Sequence, residues 1–178
     1  MKRIFYYIAL FFIINVSLVS AQENEGNTVK NTFNINAYGN FTLKYFPDFM
    51  YLYSIDASYG FAKRFDAGLY FTKDLISGDK HNELGIVSRY FLTSYIFKKP
   101  VKVDFYLKGY LGNAWRTNHY ADGITQSFTK INYGIMAGFK YLPVKWVGIM
   151  TEFGYNHHNG NTDGRWMVTL GASFRINK

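Results

Sequence analysis

The sequence of 178 residues contains no cysteine and only three prolines. Without cysteine the chain can have no disulfide framework, no thiolate metal site, no cysteine nucleophile and no acylated cysteine of the lipoprotein kind. The sequence also lacks a phosphate-binding loop, a zinc-ligand spacing and a paired-carboxylate motif. These absences exclude several large classes of enzyme and predict a protein without a metal ion or cofactor.

A long apolar run occurs only near the N-terminus. Lys2 and Arg3 precede the apolar run "IFYYIALFFII" (4–14), and small residues follow in "VSA" (19–21). This order predicts a secretory signal peptide over residues 1–21, cleaved after Ala21. An uncleaved membrane anchor is the alternative, which the shortness of the apolar core disfavours. After the signal, no stretch approaches the roughly 18 apolar residues that a transmembrane helix needs.

The charge of the chain is positive but is not concentrated in clusters. The formal net charge is +8, and removal of Lys2 and Arg3 with the signal leaves +8 − 2 = +6. No run of lysine and arginine suggests a nucleic-acid partner. Residues 22–31, "QENEGNTVKN", are polar and aperiodic, and they predict a flexible leader.

Aromatic residues and glycine are abundant, and both favour strands. Tyrosine, phenylalanine and tryptophan make up 20% of the chain, which also has 16 glycines. After the leader, apolar and polar residues alternate with a period of two, as in half-buried strands. The prediction for residues 32–178 is an all-β domain, an eight-stranded antiparallel up-and-down transmembrane β-barrel, with strands at about 33–45, 51–61, 66–73, 83–91, 102–116, 129–141, 146–157 and 166–178.

The predicted connections alternate in length along most of the chain. The turns "AKRFD" (62–66) and "LPVKW" (142–146) are short, whereas residues 74–82, 117–127 and 158–165 form longer polar loops. Short turns at one end and longer loops at the other are typical of outer-membrane barrels. Two connections fit this pattern less well. "FPDF" (46–49) is short where a loop is expected, and "TSYIFKK" (93–99) is long where a turn is expected.

Alternation alone does not decide which face is inside. A soluble lipocalin-like barrel would turn its apolar face inward, and a membrane barrel would do the reverse. The polar face is rich in glycine, asparagine, serine and threonine, which suits a narrow lumen, so we favour the membrane reading. In a membrane barrel, Leu170→Lys should then impair stability and insertion strongly, whereas Thr169→Lys should have a milder effect. Aromatic residues at both ends of the strands, including Phe65 at the turn end, predict two interfacial girdles, whose principal members are Tyr45, Trp115, Trp146, Tyr155 and Trp166.

Several segments resemble those of a known superfamily. "SYGFAKRFDAGLYF" (58–71), "VDFYLKGYLGNAW" (103–115) and "VTLGASFRI" (168–176) resemble the small outer-membrane β-barrels of Gram-negative bacteria, of the OmpA/OmpX-like "porin family" kind. The resemblance implies an outer-membrane barrel with both termini in the periplasm and the longer loops outside. We expect a monomer in contact with outer-membrane lipid and lipopolysaccharide. It also implies a last strand recognised by the barrel-assembly machinery. Members of the superfamily commonly end on an aromatic residue, whereas this sequence ends in "RINK".

The charges on the polar face predict the interior of the barrel. We expect them to form a network of salt bridges that largely fills the lumen, and the role of the protein to be non-enzymatic, in envelope integrity or surface interaction. Because bases exceed acids on this face, a narrow anion-leaning pore is an alternative. The predicted network comprises Lys44, Asp56, Arg89, Asp104, Lys108, Lys130, Lys140, Glu152 and Arg175.

A lipid A-modifying barrel enzyme is the alternative from another functional class. All four histidines, His81, His119, His157 and His158, lie in or beside predicted loops. The segment "NHHNGNTDG" (156–164) includes Asp163 but no serine, and Ser127 lies in a different loop. The arrangement for a histidine-activated nucleophile is therefore incomplete.

Overall fold

The computed structural model describes residues 29–43, 52–74, 80–97, 101–119, 125–158 and 165–177. The predicted signal peptide, most of the predicted leader, Lys44 and Tyr45 lie outside the described residues.

Eight antiparallel strands form a closed barrel in which each strand pairs with its neighbours in the sequence and β8 pairs with β1. This confirms the predicted fold class. The fifth and sixth strands are longer than predicted and pair with each other as far as His119 and Thr125. The strands are β1 (Thr32–Thr42), β2 (Leu52–Ala62), β3 (Phe65–Asp74), β4 (Lys80–Phe91), β5 (Val103–His119), β6 (Thr125–Val144), β7 (Val147–His158) and β8 (Arg165–Asn177).

The turn end of the barrel is the end at which β2 is connected to β3, β4 to β5 and β6 to β7. The β2–β3 and β6–β7 connections are tight turns, and the strand register shifts beside each of them. The longer connection from β4 to β5 contains a short helix, α1 (Thr93–Ile96), which explains its length. The Thr93 hydroxyl accepts a hydrogen bond from the Phe105 N–H at 2.8 Å and ties α1 to the barrel wall.

The burial pattern of the strands is inside out compared with that of a soluble barrel. In β8, Leu170 and Phe174 point outward and are exposed, while Thr169 and Ser173 point inward and are buried. Because side chains alternate along a strand, closing the sheet places one set in the lumen and the other on the outer wall. The core of the molecule is therefore the lumen, and it is mainly polar.

Tyrosine rings occupy the space that glycines leave in the wall of the lumen. Tyr106 lies opposite Gly138, and Tyr110 lies opposite Gly134. A Cβ atom added to either glycine would overlap the ring of the tyrosine opposite. Glycine is required at these positions because the ring of the neighbouring strand lies directly against the backbone.

The prediction that Phe65 belongs to the turn-end girdle is wrong. Its side chain is only 3% exposed. The ring of Phe61 packs edge-on against it, with 4.9 Å between the centroids, so Phe61 presents the outer ring at this position.

Among the described residues, no helix is long and apolar enough to cross a membrane.

Candidate functional site

The charges buried in the described part of the chain balance each other. They comprise five carboxylates and five cations. The sequence pattern predicts an excess of inward-facing bases, but Lys102 is exposed and Lys130 is only half-buried. Four of the five carboxylates, Asp56, Asp66, Asp104 and Glu152, lie within 4 Å of one of these cations, as the burial of charge requires. The ten buried residues are Asp56, Asp66, Glu83, Asp104, Glu152, Arg64, Arg89, Lys108, Lys140 and Arg175.

Arg89 on β4 is the centre of one charged cluster, and its side chain is fully buried. Its guanidinium group forms an ion pair with Asp56 on β2 and lies 3.5 Å from an oxygen of Asp66 on β3. Asn36 donates a hydrogen bond to Asp56 at 2.6 Å, and Ser58 donates one to Asp66 at 2.9 Å. One cation is thus shared by two carboxylates.

A second cluster surrounds Glu152 on β7. The ammonium group of Lys108 lies 2.7 Å from Glu152, and the hydroxyl of Tyr106 donates to the other carboxylate oxygen at 2.9 Å. Thr169 donates a further hydrogen bond at 3.1 Å. Lys108 on β5 also donates to the Tyr38 hydroxyl on β1 at 3.0 Å, so this cluster spans the lumen from β5 to β1.

The part of the lumen nearest the turns is filled by a third cluster and an apolar cap. Arg175 on β8 forms an ion pair with Asp104 on β5 at 2.5 Å. Towards the turn end, the buried side chains of Val29, Phe91 and Tyr106 pack together. The backbone N–H of Val29 donates to the carbonyl of Lys63 at 3.0 Å, which holds the residues before β1 across this end.

Glu83, which the sequence analysis did not place in the network, organises the part of the lumen nearest the loops. The hydroxyl of Tyr70 donates to it, and the amide of Asn132 lies 2.7 Å from both carboxylate oxygens. The His81 ring nitrogen lies 3.6 Å from the same carboxylate. Glu83 is an even number of residues from Arg89 on β4, so the alternation of side chains places both on the inner face. The sequence could therefore have identified Glu83 as a lumen residue.

Several tyrosines also lie in the lumen, and the predicted network of charges did not include them. Tyr106 and Tyr110 have the same parity on β5 as Lys108, so their inward direction could have been read from the alternation. Their rings, with those of Tyr38 and Tyr70, occupy space in the lumen that charged side chains alone would leave open. Tyr70 and Tyr110 meet edge-on, with 5.5 Å between the centroids.

A cavity of about 30 Å³ lies in the loop-end half of the lumen, between Tyr38, Glu83, Lys108, Tyr110 and Asn132. Because roughly 10–15 Å³ of such space holds one water molecule, the cavity suits about two or three water molecules and is too small for a hydrated solute. The lumen is therefore a packed interior with a small cavity.

The predicted network residues occupy three kinds of position. Lys130 lies half-buried on β6, and Lys44 lies outside the described residues. The other seven are buried in the lumen, and they are Asp56, Arg89, Asp104, Lys108, Lys140, Glu152 and Arg175.

The outer wall carries exposed apolar side chains on all eight strands. Near the loops, Trp166 stacks on Phe153 with 5.1 Å between the centroids and meets Tyr155 edge-on. Trp115 is also exposed near the loops, and Trp146, at 63% exposed, lies at the turn end. The strands contribute, among others, Phe33, Ile55, Leu69, Ile86, Leu107, Ile135, Ile149 and Leu170 to this apolar belt.

The histidines and Ser127 do not form a catalytic group among the described side chains. His81 is buried in the lumen. His157 lies against the ring of Tyr133 on the outer wall, with 5.0 Å between the centroids. Ser127 is exposed and shares a hydrogen bond of 3.2 Å with Thr117. Asp163 and the side chains of His119 and His158 lie outside the described part. The described residues also contain no group of three or more His, Asp or Glu side chains that could hold a metal ion.

The fold is that of the small eight-stranded barrels of bacterial outer membranes, and solved structures with this fold superpose on the chain. The N-terminal barrel domain of Pseudomonas aeruginosa OprF matches with a TM-score of 0.61 and 22% identity, over 83% of this chain and 98% of that domain. Neisserial surface protein A matches with 0.58 and 18%, over 83% and 96%. Ail, the attachment invasion locus protein of Yersinia pestis, matches with 0.52 and 14%, over 83% and 99%.

The comparisons show a shared fold. No protein-family model matches the chain. No curated protein is detectably similar to it in sequence. The chain has the eight-stranded outer-membrane barrel fold of the OmpA/OmpX-like kind.

Proposed function

We propose that this protein is an integral outer-membrane β-barrel whose filled lumen makes it a structural or surface-interaction component of the envelope. In this proposal it is a monomer with periplasmic termini, inserted by the barrel-assembly machinery and surrounded by outer-membrane lipid and lipopolysaccharide. The observation that carries the proposal is the sorting of side chains. Charged groups are buried inside the barrel, and a continuous apolar belt is exposed outside.

Lipid is the solvent that suits this distribution. A soluble protein rarely exposes an apolar patch larger than a few hundred Å², whereas here apolar side chains are exposed on every strand. The closed barrel pairs the backbone groups of each strand with both neighbours, as a bilayer interior requires. A lipocalin-like carrier would instead need an open, mainly apolar interior, and this lumen holds ion pairs.

The surface groups support a non-catalytic role. A nucleophilic serine needs a base within hydrogen-bonding distance. Ser127 has the Thr117 hydroxyl beside it, and His81 is buried in the lumen. In this proposal the surface interaction takes place at the longer connections of the loop end, which are typical of outer-membrane barrels.

The proposal is tested by fractionation of cells that express the full chain. We expect the protein in the outer-membrane fraction, resistant to extraction by alkaline carbonate, and with a gel mobility that changes on boiling. Boiling unfolds a barrel that survives cold detergent, so the two mobilities report the folded state. Recovery in the soluble periplasm, with one mobility before and after boiling, would overturn the proposal and favour the soluble barrel.

A further inference from the structure

The connection from β4 to β5 folds back onto the outer wall of the barrel. The ring of Tyr95 in α1 lies near the ring of Tyr90 on β4, with 6.4 Å between the centroids. Phe97, which follows α1, stacks on Phe105 of β5, also with 6.4 Å between the centroids. Tyr90 and Phe105 each stand between two buried residues of their strands, so their side chains point outward. The helix α1 therefore lies against the outer face of the barrel at the turn end.

The side-chain hydroxyl groups of α1 all have partners within the molecule. The Thr93 hydroxyl accepts the hydrogen bond from the wall described above. The Ser94 hydroxyl accepts one from the Nε–H of Arg64 at 2.6 Å. The Tyr95 hydroxyl shares a hydrogen bond of 2.6 Å with that of Tyr90, and the Arg64 guanidinium lies over the Tyr95 ring, 3.7 Å from its centroid. These hydroxyl groups therefore need no water.

Backbone N–H groups of α1 are paired in the same way. Tyr95 and Ile96 donate to the carbonyl of Leu92 at 2.9 and 3.4 Å. Phe97 donates to the carbonyl of Thr93 at 2.9 Å. A segment that touches hydrocarbon must satisfy its polar groups internally, because lipid tails offer no hydrogen bonds. The helix meets this requirement with its hydroxyl groups and with these N–H groups.

The most exposed side chains of α1 present aromatic and aliphatic surface. Tyr95 is 49% exposed and Ile96 is 56% exposed. Beside them, the aromatic row of Phe97 and Phe105 continues to Phe139 on β6, with 5.2 Å between the centroids of the last two rings. The exposed surface of α1 is thus continuous with the apolar belt at the level where the strands end.

We propose that α1 is an interfacial anchor, which places the ring of Tyr95 and the side chain of Ile96 between the headgroups and the acyl chains of the lipid leaflet at the turn end. This inference rests on the proposed function, because it needs a barrel that spans a bilayer. Lipid is the occupant because the exposed surface of α1 continues the apolar belt, and because tyrosine favours the headgroup level. The paired hydroxyl and N–H groups remove the main cost of leaving water.

A single tryptophan on α1 tests this placement. The parent variant lacks all three tryptophans of the sequence, through Trp115→Phe, Trp146→Phe and Trp166→Phe, and Ile96→Trp is added as the probe. The protein is folded into vesicles of phosphatidylcholine brominated either next to the headgroup or near the end of the acyl chains. Bromine quenches tryptophan fluorescence on contact. We expect emission at a shorter wavelength than in the urea-unfolded protein, and stronger quenching by the bromine next to the headgroup.

Leu170→Trp in the same parent is the matched control. Leu170 is exposed on the outer wall near the middle of β8, so its tryptophan should be quenched more strongly by the bromine near the end of the acyl chains. Tyr95→Trp is a second probe on α1 and should repeat the quenching profile of Ile96→Trp, so the result does not depend on one variant. The gel shift on boiling confirms that each variant is folded.

The outcomes separate the inference from the proposed function. Quenching of the α1 probes by acrylamide in the water and by neither lipid, while Leu170→Trp responds to bromine, would overturn the interfacial anchor and leave the membrane barrel in place. Quenching by neither acrylamide nor bromine would also overturn it, in favour of a protein that covers α1. Stronger quenching of the α1 probes by the deeper bromine would overturn the headgroup level. A Leu170→Trp variant that no bromine quenches, with a gel mobility that boiling does not change, would instead overturn the proposed function.

Discussion

At the scale of single residues, Arg89 shows how much the interior depends on one cation. The guanidinium group serves carboxylates on two neighbouring strands, Asp56 on β2 and Asp66 on β3. Removal of one member of a buried ion pair leaves the remaining charge uncompensated and costs more than the pair itself contributes.

Arg89→Met should therefore lower the free energy of unfolding by about 3–5 kcal/mol, measured by urea titration of the protein folded in vesicles. Adding Asp56→Asn and Asp66→Asn to this variant should recover much of the loss, because the buried charges are then removed together. Lys73→Met, at an exposed position, serves as the control and should change little. A single Arg89 variant as stable as the parent would contradict the shared-cation description.

The pairing of glycine with tyrosine gives a second test at this scale. Gly138→Ala should destabilise the barrel by about 1–3 kcal/mol, because the new methyl group would overlap the ring of Tyr106, which is held by Glu152. Gly39→Ala is the matched control, since its added Cβ would meet only the Phe41 ring at an ordinary 3.5 Å. Equal effects of the two substitutions in the same urea titration would show that the tyrosine does not need the glycine.

At the scale of the element, β8 shows the two faces most clearly. Leu170 is 54% exposed on the outer wall, whereas Thr169 is fully buried and donates to Glu152. The sequence predicts these directions, since they follow from alternation. It cannot show that the lumen is already filled at Thr169, where a lysine would meet packed side chains beside the Lys108–Glu152 pair. The prediction that Thr169→Lys is milder than Leu170→Lys therefore assumes space that the lumen does not offer.

A second position on the outer face of β8 serves as the control for Leu170→Lys in place of Thr169. Leu170→Lys, near the middle of the strand, should cost about 2–4 kcal/mol in bilayer stability, and Ile176→Lys, near the turn end, about 0–1 kcal/mol. Both side chains are exposed on the same face and differ mainly in depth. Folding into vesicles, followed by the boiling-dependent gel shift and urea titration, measures the difference. Equal costs would contradict the proposed position of the apolar belt in the bilayer.

At the scale of the whole molecule, the number of strands and the closure of the barrel were predictable, because they follow from the repeated alternation of apolar and polar residues. The contacts between side chains in the lumen were not predictable. Alternation shows on which face a side chain lies, but it does not show which other side chain it reaches. The sequence could place Arg89 and Glu152 on the inner face, but it could not show that Arg89 meets Asp56 while Glu152 meets Lys108. Those contacts depend on how far each strand is shifted against its neighbours.

The filled lumen predicts an electrically silent barrel. Purified protein in planar bilayers should show no discrete conductance steps, because ion pairs and tyrosine rings fill the described part of the lumen around a cavity of about 30 Å³. The gel shift on boiling confirms that the same sample is folded. Reproducible single-channel steps from that sample would restore the anion-leaning pore.

The closure of the barrel between β1 and β8 has a consequence for folding kinetics. Thr32 pairs with Asn177, so contacts between the two ends of the described chain complete the structure. Pairing of such distant segments gives a high contact order, and proteins of high contact order fold slowly. Until β8 reaches β1, both strands present an unpaired edge that can aggregate. The chain therefore depends on protection from its own edges during the interval between synthesis of its last strand and closure of the ring.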